Sequence, residues 1–583
     1  MMMPTLPPPR LGRPTSRHRL LVAAIMIAIL LLAGRLVWVQ GLNAEGLAAQ
    51  AQKERTTTRT IPALRGDVLD RDGTVLATSV ERYDVFVNQR QVAEYLEGDS
   101  SATEKGVPAA AKLLAPLLGW TVEDTQAKLT GDRQFMFLSK GVDPTVRDAI
   151  LDLRIPGIGA DRVADRIYPS GQVAGNVIGF LNGAGEPQAG IELSANEELQ
   201  GRDGKTTYER GANGQIIPTG IQDTTEAVDG QDVVLTLDRD LQWKAQEQIA
   251  ATVQQYGADG GSIVALNAKT GEVLALADYP TFDPNDVGAT DAEHRGNPSI
   301  QSIFDPGSTG KLLTVASAID QGTVTPASQY TAPYTMDFRG HRIKDSHPHD
   351  TKHLTTAGVL HDSSNTGTVQ IAETLTPQVR YDYLRAFGLG QKTGIELPAE
   401  SAGLLPKPED WNGRTRYTTA FGQGYSVTAL QVVSAISTFA NDGVRVEPTI
   451  VRGVRQDDGS IRPSAAPEQT RVVSSQTAAT MVQLMDNDVP DDGTQNANIP
   501  QYAVAGKTGT AQTADGQYTS SFIGFAPADD PEIVVGVFVY GLDTFISGNT
   551  AASPTWARFM EFALQNQRIA PTGKPGVELE NEW

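Results

Sequence analysis

No cysteine occurs among the 583 residues, which removes disulfide frameworks and thiolate metal sites and leaves the redox compartment unread. Basic residues are scarce against acids, 48 to 69, for a net charge of −21. A chain this acidic lacks the basic face that nucleic acid requires, so no nucleic-acid partner is expected. The deficit is uneven: the first 44 residues hold five arginines and no acid, so the rest is more acidic than the total implies. Long hydrophobic runs are also missing, with one exception, LLVAAIMIAILLLAG from Leu20 to Gly34, prolonged after Arg35 as LVWV to Val39.

Twenty helical residues rise about 30 Å, the thickness of one hydrocarbon core. Arg10, Arg13, Arg17 and Arg19 precede the run, and Glu45 is the first acid after it. That asymmetry predicts a cytoplasmic basic tail over 1–19, an uncleaved single-pass anchor over 20–39 and an extracytoplasmic remainder. A cleaved signal peptide fits less well, because the small-residue site Ala49-Gln50-Ala51 lies ten residues beyond the run. With 40% apolar residues, sixteen Phe and six Trp, the remainder can fill more than one core, and at least two folded modules are expected.

Residues 40–60 read as a polar stalk. RGDVLDRDGTVLATSV (65–80) alternates around an Asp-Gly turn and predicts a hairpin. From 83 to about 225 the pattern is mixed, with a helix near 109–118, Gly-rich stretches and no cluster of reactive side chains. The texture changes near Val233. VVLTL reads as a strand, Asp238 as a helix cap, and Leu241, Ala245, Ile249 and Val253 recur at helical spacing. GSIVALNAKTGEVLALA (261–277) reads as a second hairpin, and a long helical middle follows. YAVAGKTGTAQ, TSSFIGFAP and EIVVGVFVYG, from Tyr502, Thr519 and Glu532, read as three strands, and a last helix is expected from about Ser553 to Asn566. Two early and three late strands predict one five-stranded antiparallel sheet flanked by helices, an α/β arrangement of the α+β kind.

Three short fragments carry the chemistry. FDPGSTGKLL (304–313) places Ser308 one turn ahead of Lys311, Ser363-Ser364-Asn365 falls in the helical middle, and Lys507-Thr508-Gly509 lies on an expected strand. Each alone reads as well as a helix entry, a polar cap and a solvated strand lysine. In this order they form the Ser-x-x-Lys, Ser-x-Asn, Lys-Thr-Gly signature of penicillin-binding proteins and serine β-lactamases. With RGDVLDRDGTVLA, RIYPSGQVAGNVIGF, GIELSANEELQG, FGLGQKTGIELP and SFIGFAP, the chain resembles class B penicillin-binding proteins over nearly its whole length. Its length and the SVERYDV continuation look more like the division (septal) type than the elongation type.

The resemblance implies an extracytoplasmic, elongated and β-rich pedestal of the dimerisation type over 40–225, a transpeptidase domain over 226–570 and an acidic tail over 571–583. It implies a D,D-transpeptidase that crosslinks peptidoglycan stem peptides through a serine acyl-enzyme, needs no cofactor and is acylated by β-lactams. A membrane glycan polymerase of the SEDS type and other division proteins are the implied partners. Ser308 would be the nucleophile and Lys311 its base, neutral only if buried or beside a second cation such as Lys507. Ser363 would relay the proton to the leaving D-alanine, and Asn365 would hold the peptide amide. Lys507 with the hydroxyls of Thr508 and Thr510 would receive the terminal carboxylate, and Gly509 would let substrate lie against the strand. The backbone N–H groups of Ser308 and Thr510 would form the oxyanion hole.

One departure stands out: Gly310 occupies a position where relatives often carry a larger residue, and glycine costs about 1 kcal/mol in a helix interior. Five of the seven histidines fall between His341 and His361, and with Asp345 or Asp350 they could complete a zinc site. Pro348 and irregular spacing give them no shared face, and no metal is expected. Rival functions are a D,D-carboxypeptidase or β-lactamase, for which no Glu-x-x-Leu-Asn segment is present, and a β-lactam sensor.

Overall fold

The structure, a computed structural model, describes residues 14–43, 45, 53, 55–95, 105–209, 217, 219, 220, 222–489, 496–513, 516–573, 576 and 578–583. The expected basic tail therefore lies outside the described residues up to position 13, as does most of the stalk between 44 and 54. The chain divides into two units, Met1–Ala63 with Arg202–Val228, and Leu64–Gly201 with Asp229–Trp583.

In the first unit the helix Pro14–Val37 runs on into a wide turn at Trp38–Leu42. Its apolar side chains are exposed, and the stretch Thr15–Gly41 is long and apolar enough to cross a membrane. The guanidinium of Arg35 folds back over the Trp38 ring at 4.7 Å, an arrangement suited to a headgroup layer. The end of the expected stalk is not stalk: Thr56–Ile61 is a strand, paired antiparallel with Gly204–Glu209, which pairs in turn with Gln222–Thr225. Four threonines among residues 56–60 make that edge β-prone without an apolar run.

The second unit holds two large sheets. In one, Val68–Leu69, Val75–Val87, Met136–Val142 and Ile158–Ile167 are joined through Val233–Leu235 to Val451–Arg455 and Ile461–Pro463. The hairpin foreseen at 65–80 is the start of it, and Asp70 closes its turn by accepting from the N–H groups of Asp72 and Thr74.

Three motifs far apart in sequence meet beside this sheet. Glu192 of GIELS is fully buried, and its two oxygens take Arg65 Nε at 2.6 Å and Arg166 Nε at 2.7 Å. The guanidinium of Arg65 also reaches Asn196 and the Glu192 carbonyl, and that of Arg166 reaches the Gly66 carbonyl. The hydrogen bonds satisfy most of what burial took from the three charges.

The second sheet is five-stranded and antiparallel, in the order Val273–Tyr279, Gly260–Asn267, Ile533–Leu542, Tyr518–Ala526, Ala505–Gln512. Three of its strands, Val273–Tyr279, Gly260–Asn267 and Ile533–Leu542, read as largely apolar runs because both faces are covered. Ile263, Phe522, Val535 and Val537 face the helices Arg239–Tyr256 and Gly548–Asn566, while Val264, Ile523, Val534 and Phe538 face the helical middle. The last helix begins at Gly548, five residues before its expected start. Pro554 reads as a first helical residue but sits inside; the Thr550 carbonyl that its missing N–H would have bonded is taken by the Tyr256 hydroxyl at 2.9 Å. The final residues, expected as a tail, lie along the strand Lys352–Thr355: Leu354 bridges Glu582, the Thr355 N–H donates to the Asn581 carbonyl, and Leu579 packs on the core.

One acid is buried in the sheet itself. Asp278 accepts from the hydroxyls of Ser262 and Ser299, yet burial pushes its carboxyl up to about 6.

Glu192→Gln leaves two arginines without a full counter-charge, and a loss of about 3 kcal/mol, read as a fall in thermal midpoint, is expected. For Asp278 the folded state holds the proton more tightly than the unfolded chain, so its contribution is complete below pH 3.8 and is lost as pH rises to about 6. Asp278→Asn should therefore gain on the wild type across that window, by about 3 kcal/mol at pH 7. Parallel midpoint-versus-pH curves for the two proteins would contradict this.

Candidate active site

Ser308 sits on a single 3₁₀ turn, Gly307–Thr309, that leads into the helix Gly310–Asp320. In a 3₁₀ turn residues three apart eclipse, which brings Ser308 and Lys311 into line. The turn is pinned on both sides: the Thr309 hydroxyl donates to the Pro306 carbonyl at 2.8 Å and the Gly307 N–H to Gly422 at 2.9 Å. The absence of a side chain at Gly310 now has a reason. A Cβ there would stand 2.5 Å from the Tyr425 hydroxyl, so the space a larger residue would take is filled by a buried tyrosine.

Lys311 is fully buried. Its Nζ donates to the Ser363 carbonyl and, at 3.0 Å, to the Ser363 hydroxyl. Burial, and after it the Lys507 charge, lower its pKa to about 7. At neutral pH a large share is therefore the free amine that a base must be.

Ser363 is held in the left-handed region at φ +54°, a conformation that costs about 1 kcal/mol or more for a residue with a side chain. The tight turn between the helices Thr356–His361 and Asn365–Ala372 imposes it, and aims both the carbonyl and the hydroxyl at Lys311. The second helix is clamped at its start by Asp345. One oxygen accepts from the N–H groups of Asn365 and Thr366, the other from the Ser364 hydroxyl at 2.9 Å, beside His349. A carboxylate at a helix N-terminus is favoured by the dipole as well as by the hydrogen bonds. Asn365 donates its amide to the Lys344 carbonyl, which leaves its oxygen for a ligand N–H.

Lys507, Thr508, Gly509 and Thr510 lie on the edge strand Ala505–Gln512. Lys507 is buried on the side of the helical middle, and Asp488 stands 3.1 Å away with both oxygens in reach. The Thr510 hydroxyl accepts from the N–H of Gly548, the first residue of the last helix. Gly509 is required for a reason other than room for substrate. A Cβ there would meet Ser521 at 2.3 Å and Thr309 at 3.1 Å, so glycine is what lets the Ser308 turn press against the strand. Of the eight expected residues, Ser308 lies on the 3₁₀ turn and Lys311 on the helix it leads into, Ser363 on the helix-to-helix turn and Asn365 at the start of the second helix, and Lys507, Thr508, Gly509 and Thr510 on the edge strand.

Two residues of the site escaped the motifs. The sequence offers Asp345 only as a zinc ligand and gives Asp488 no role; both are single acids in polar stretches, with nothing in the local pattern to mark them. The histidines are dispersed rather than convergent. His341 lies over Tyr417, His347 against Phe545, His349 on Asp345, His353 against Trp583, and His361 on the Asn487 carbonyl. Among the described residues no three His, Asp or Glu are grouped to hold an ion.

Residues 261–561 match the penicillin binding protein transpeptidase domain and residues 60–235 the penicillin-binding protein dimerisation domain. Penicillin-binding protein PbpB of Mycolicibacterium smegmatis is 36% identical over 97% of this chain and 92% of its own length. The peptidoglycan D,D-transpeptidase FtsI of Escherichia coli is 30% identical over 95% and 92%. The crystal structure of penicillin binding protein 3 from Mycobacterium tuberculosis, complexed with aztreonam, superposes with a TM-score of 0.68 at 30% identity, covering 90% of this chain and all of that one.

If neutral Lys311 takes the Ser308 proton, acylation of Ser308 by a chromogenic cephalosporin should rise with pH through a midpoint near 7. Stopped-flow rates between pH 5.5 and 8.5 test this. Lys311→Arg, which keeps its charge throughout, should be slower by orders of magnitude and lose the inflection.

Proposed function

The chain belongs to the class B penicillin-binding proteins, and from that premise we infer how its residues carry out the reaction of a serine peptidoglycan D,D-transpeptidase. The observation that carries the reading is the fully buried Lys311, bonded to Ser363, three residues after Ser308 and within electrostatic reach of Lys507. The terminal carboxylate of a D-Ala-D-Ala stem meets Lys507 with Thr508 and Thr510 at the sheet edge, and Asn365 holds the preceding amide. Ser308 Oγ attacks the penultimate carbonyl and its proton passes to Lys311 Nζ. The oxyanion is taken by the N–H groups of Ser308 and Thr510, whose backbones adjoin where Gly307 lies against the Thr510 carbonyl. As the C–N bond breaks, the proton moves from Lys311 through the Ser363 hydroxyl, 3.0 Å away, to the leaving D-alanine amine. An amine of a second stem then attacks the ester and restores Ser308. A β-lactam enters by the same route, but ring opening releases no leaving group, and the tethered remnant blocks the acceptor.

The proposal extends to topology and partners. The apolar helix is read as a single-pass anchor with its amino terminus in the cytoplasm, supported by the arginines before it and the acid after it. The pedestal is assigned to 40–225 and the catalytic domain to 226–570. Crosslinking at the division septum, beside a SEDS-type polymerase and other division proteins, is favoured by likeness to PbpB and FtsI along nearly the full chain.

Incubation with a penicillin should raise the intact mass by one whole drug molecule, on the peptide that contains Ser308. Ser308→Ala should abolish the adduct, and an adduct formed at the wild-type rate would place the nucleophile elsewhere. With peptidoglycan strands and the polymerase supplied, crosslinked stems rather than trimmed ones are expected; trimmed products alone would indicate a carboxypeptidase.

A further inference from the structure

We propose that Asp488 is a positioning residue that decides which of the two buried active-site lysines carries the charge, fixing Lys507 as the cation for the carboxylate and leaving Lys311 to be the base. The proposal rests on the transpeptidase reading above and deepens it.

Lys311 and Lys507 are both buried, 0% and 1% exposed, and act on each other electrostatically. Two ammonium groups in one low-dielectric site repel, so one proton is readily given up. The chemistry works only if Lys311 gives it up, since Lys311 is the lysine aligned with Ser308. Nothing in the two side chains themselves settles this. Their surroundings do. Among the described residues Lys311 Nζ meets a carbonyl and a hydroxyl, both from Ser363. Lys507 Nζ meets both oxygens of Asp488, at 3.1 and 3.3 Å, with the acid 2% exposed. Among the described residues Asp488 is the one carboxylate within ion-pair distance of either lysine.

The other charged or titratable groups around the pair are Asp345, His349 and His361. Asp345 acts on Lys311 from beyond contact, and its oxygens are engaged by Asn365, Thr366, Ser364 and His349. His361 faces Asp488 from the helix Thr356–His361 and bonds the Asn487 carbonyl at 3.1 Å. Burial pushes the Asp488 carboxyl up, and the Lys507 ammonium in contact opposes that most strongly.

Asp488 is also held in place. It ends the helix Ser475–Asn487, and its neighbour Asn487 is gripped by the last residues of the chain, donating to Asn581 at 2.8 Å and accepting from the Leu579 N–H at 2.9 Å. A carboxylate so fixed cannot swing from Lys507 to Lys311.

The test uses the full chain in detergent and a chromogenic cephalosporin bearing a carboxylate, with acylation rates from pH 5.5 to 9.5 and ligand-free thermal midpoints. Without the Asp488 charge, both limbs of the wild-type profile should move to lower pH. In Asp488→Asn and Asp488→Ser the alkaline limb should shift by about one unit or more, and the rate at pH 8 should fall at least about tenfold. Asp488→Glu should lie close to the wild type. Adding Lys507→Arg to Asp488→Asn should return the alkaline limb toward its original position, because a guanidinium does not give up its proton.

Neutral variants that fold and keep wild-type limbs would overturn the proposal. So would neutral variants that do not fold beside a fully active Asp488→Glu, which would make Asp488 a structural counter-ion only. Failure of the wild type to be labelled at Ser308 would instead overturn the transpeptidase reading.

Discussion

The arrangement around Ser308 depends on a lysine with no access to water. A buried ammonium is costly unless it is paired, whereas a buried amine needs only hydrogen-bonding partners. Lys311 is supplied with the second kind of environment, a carbonyl and a hydroxyl from Ser363. Those two groups point the same way only because Ser363 is in the left-handed region, and it stays there because Asp345 and Ser364 pin the helix that follows. The surroundings of Lys311 are therefore set by a backbone conformation one motif away from it.

The same need for water exclusion explains the close approaches. The Ser308 turn is pressed onto the edge strand at Gly509 and closed from behind by Tyr425, which occupies the space beside Gly310. The last helix brings its first N–H to Thr510, which it reaches only by starting ahead of Pro554, with Tyr256 satisfying the carbonyl that proline leaves bare. The site is a junction of three elements, each fixed by contacts on its far side.

At a distance from the chemistry, Arg65, Arg166 and Glu192 tie three early motifs into one buried ionic cluster beside the first sheet. These stretches carry much of the family likeness but no reactive group. Changing one member of such a buried ion set without the others leaves an uncompensated charge.

Periodicity and turn chemistry were enough to reveal the apolar helix, the hairpins at 65–80 and 261–277, the five strands of the catalytic sheet and the amphipathic helix after Asp238, because each depends on residues close in sequence. The order of three short motifs was enough to pick out the residues that the fold gathers around Lys311. Local pattern failed where a contact spans a hundred residues or more. It could not reveal that threonines 56–60 pair with 205–209, that the residues after 577 lie along the strand at 352–355, or that the last helix starts before its proline. Nor could it mark Asp345 and Asp488, whose roles exist only once a helix N-terminus and a buried lysine are set beside them. The sequence alone determined which chemical groups the site contains. Tertiary structure decided how readily Lys311 gives up its proton, because proton affinity depends on burial and on neighbouring charge, and both are properties of the folded packing.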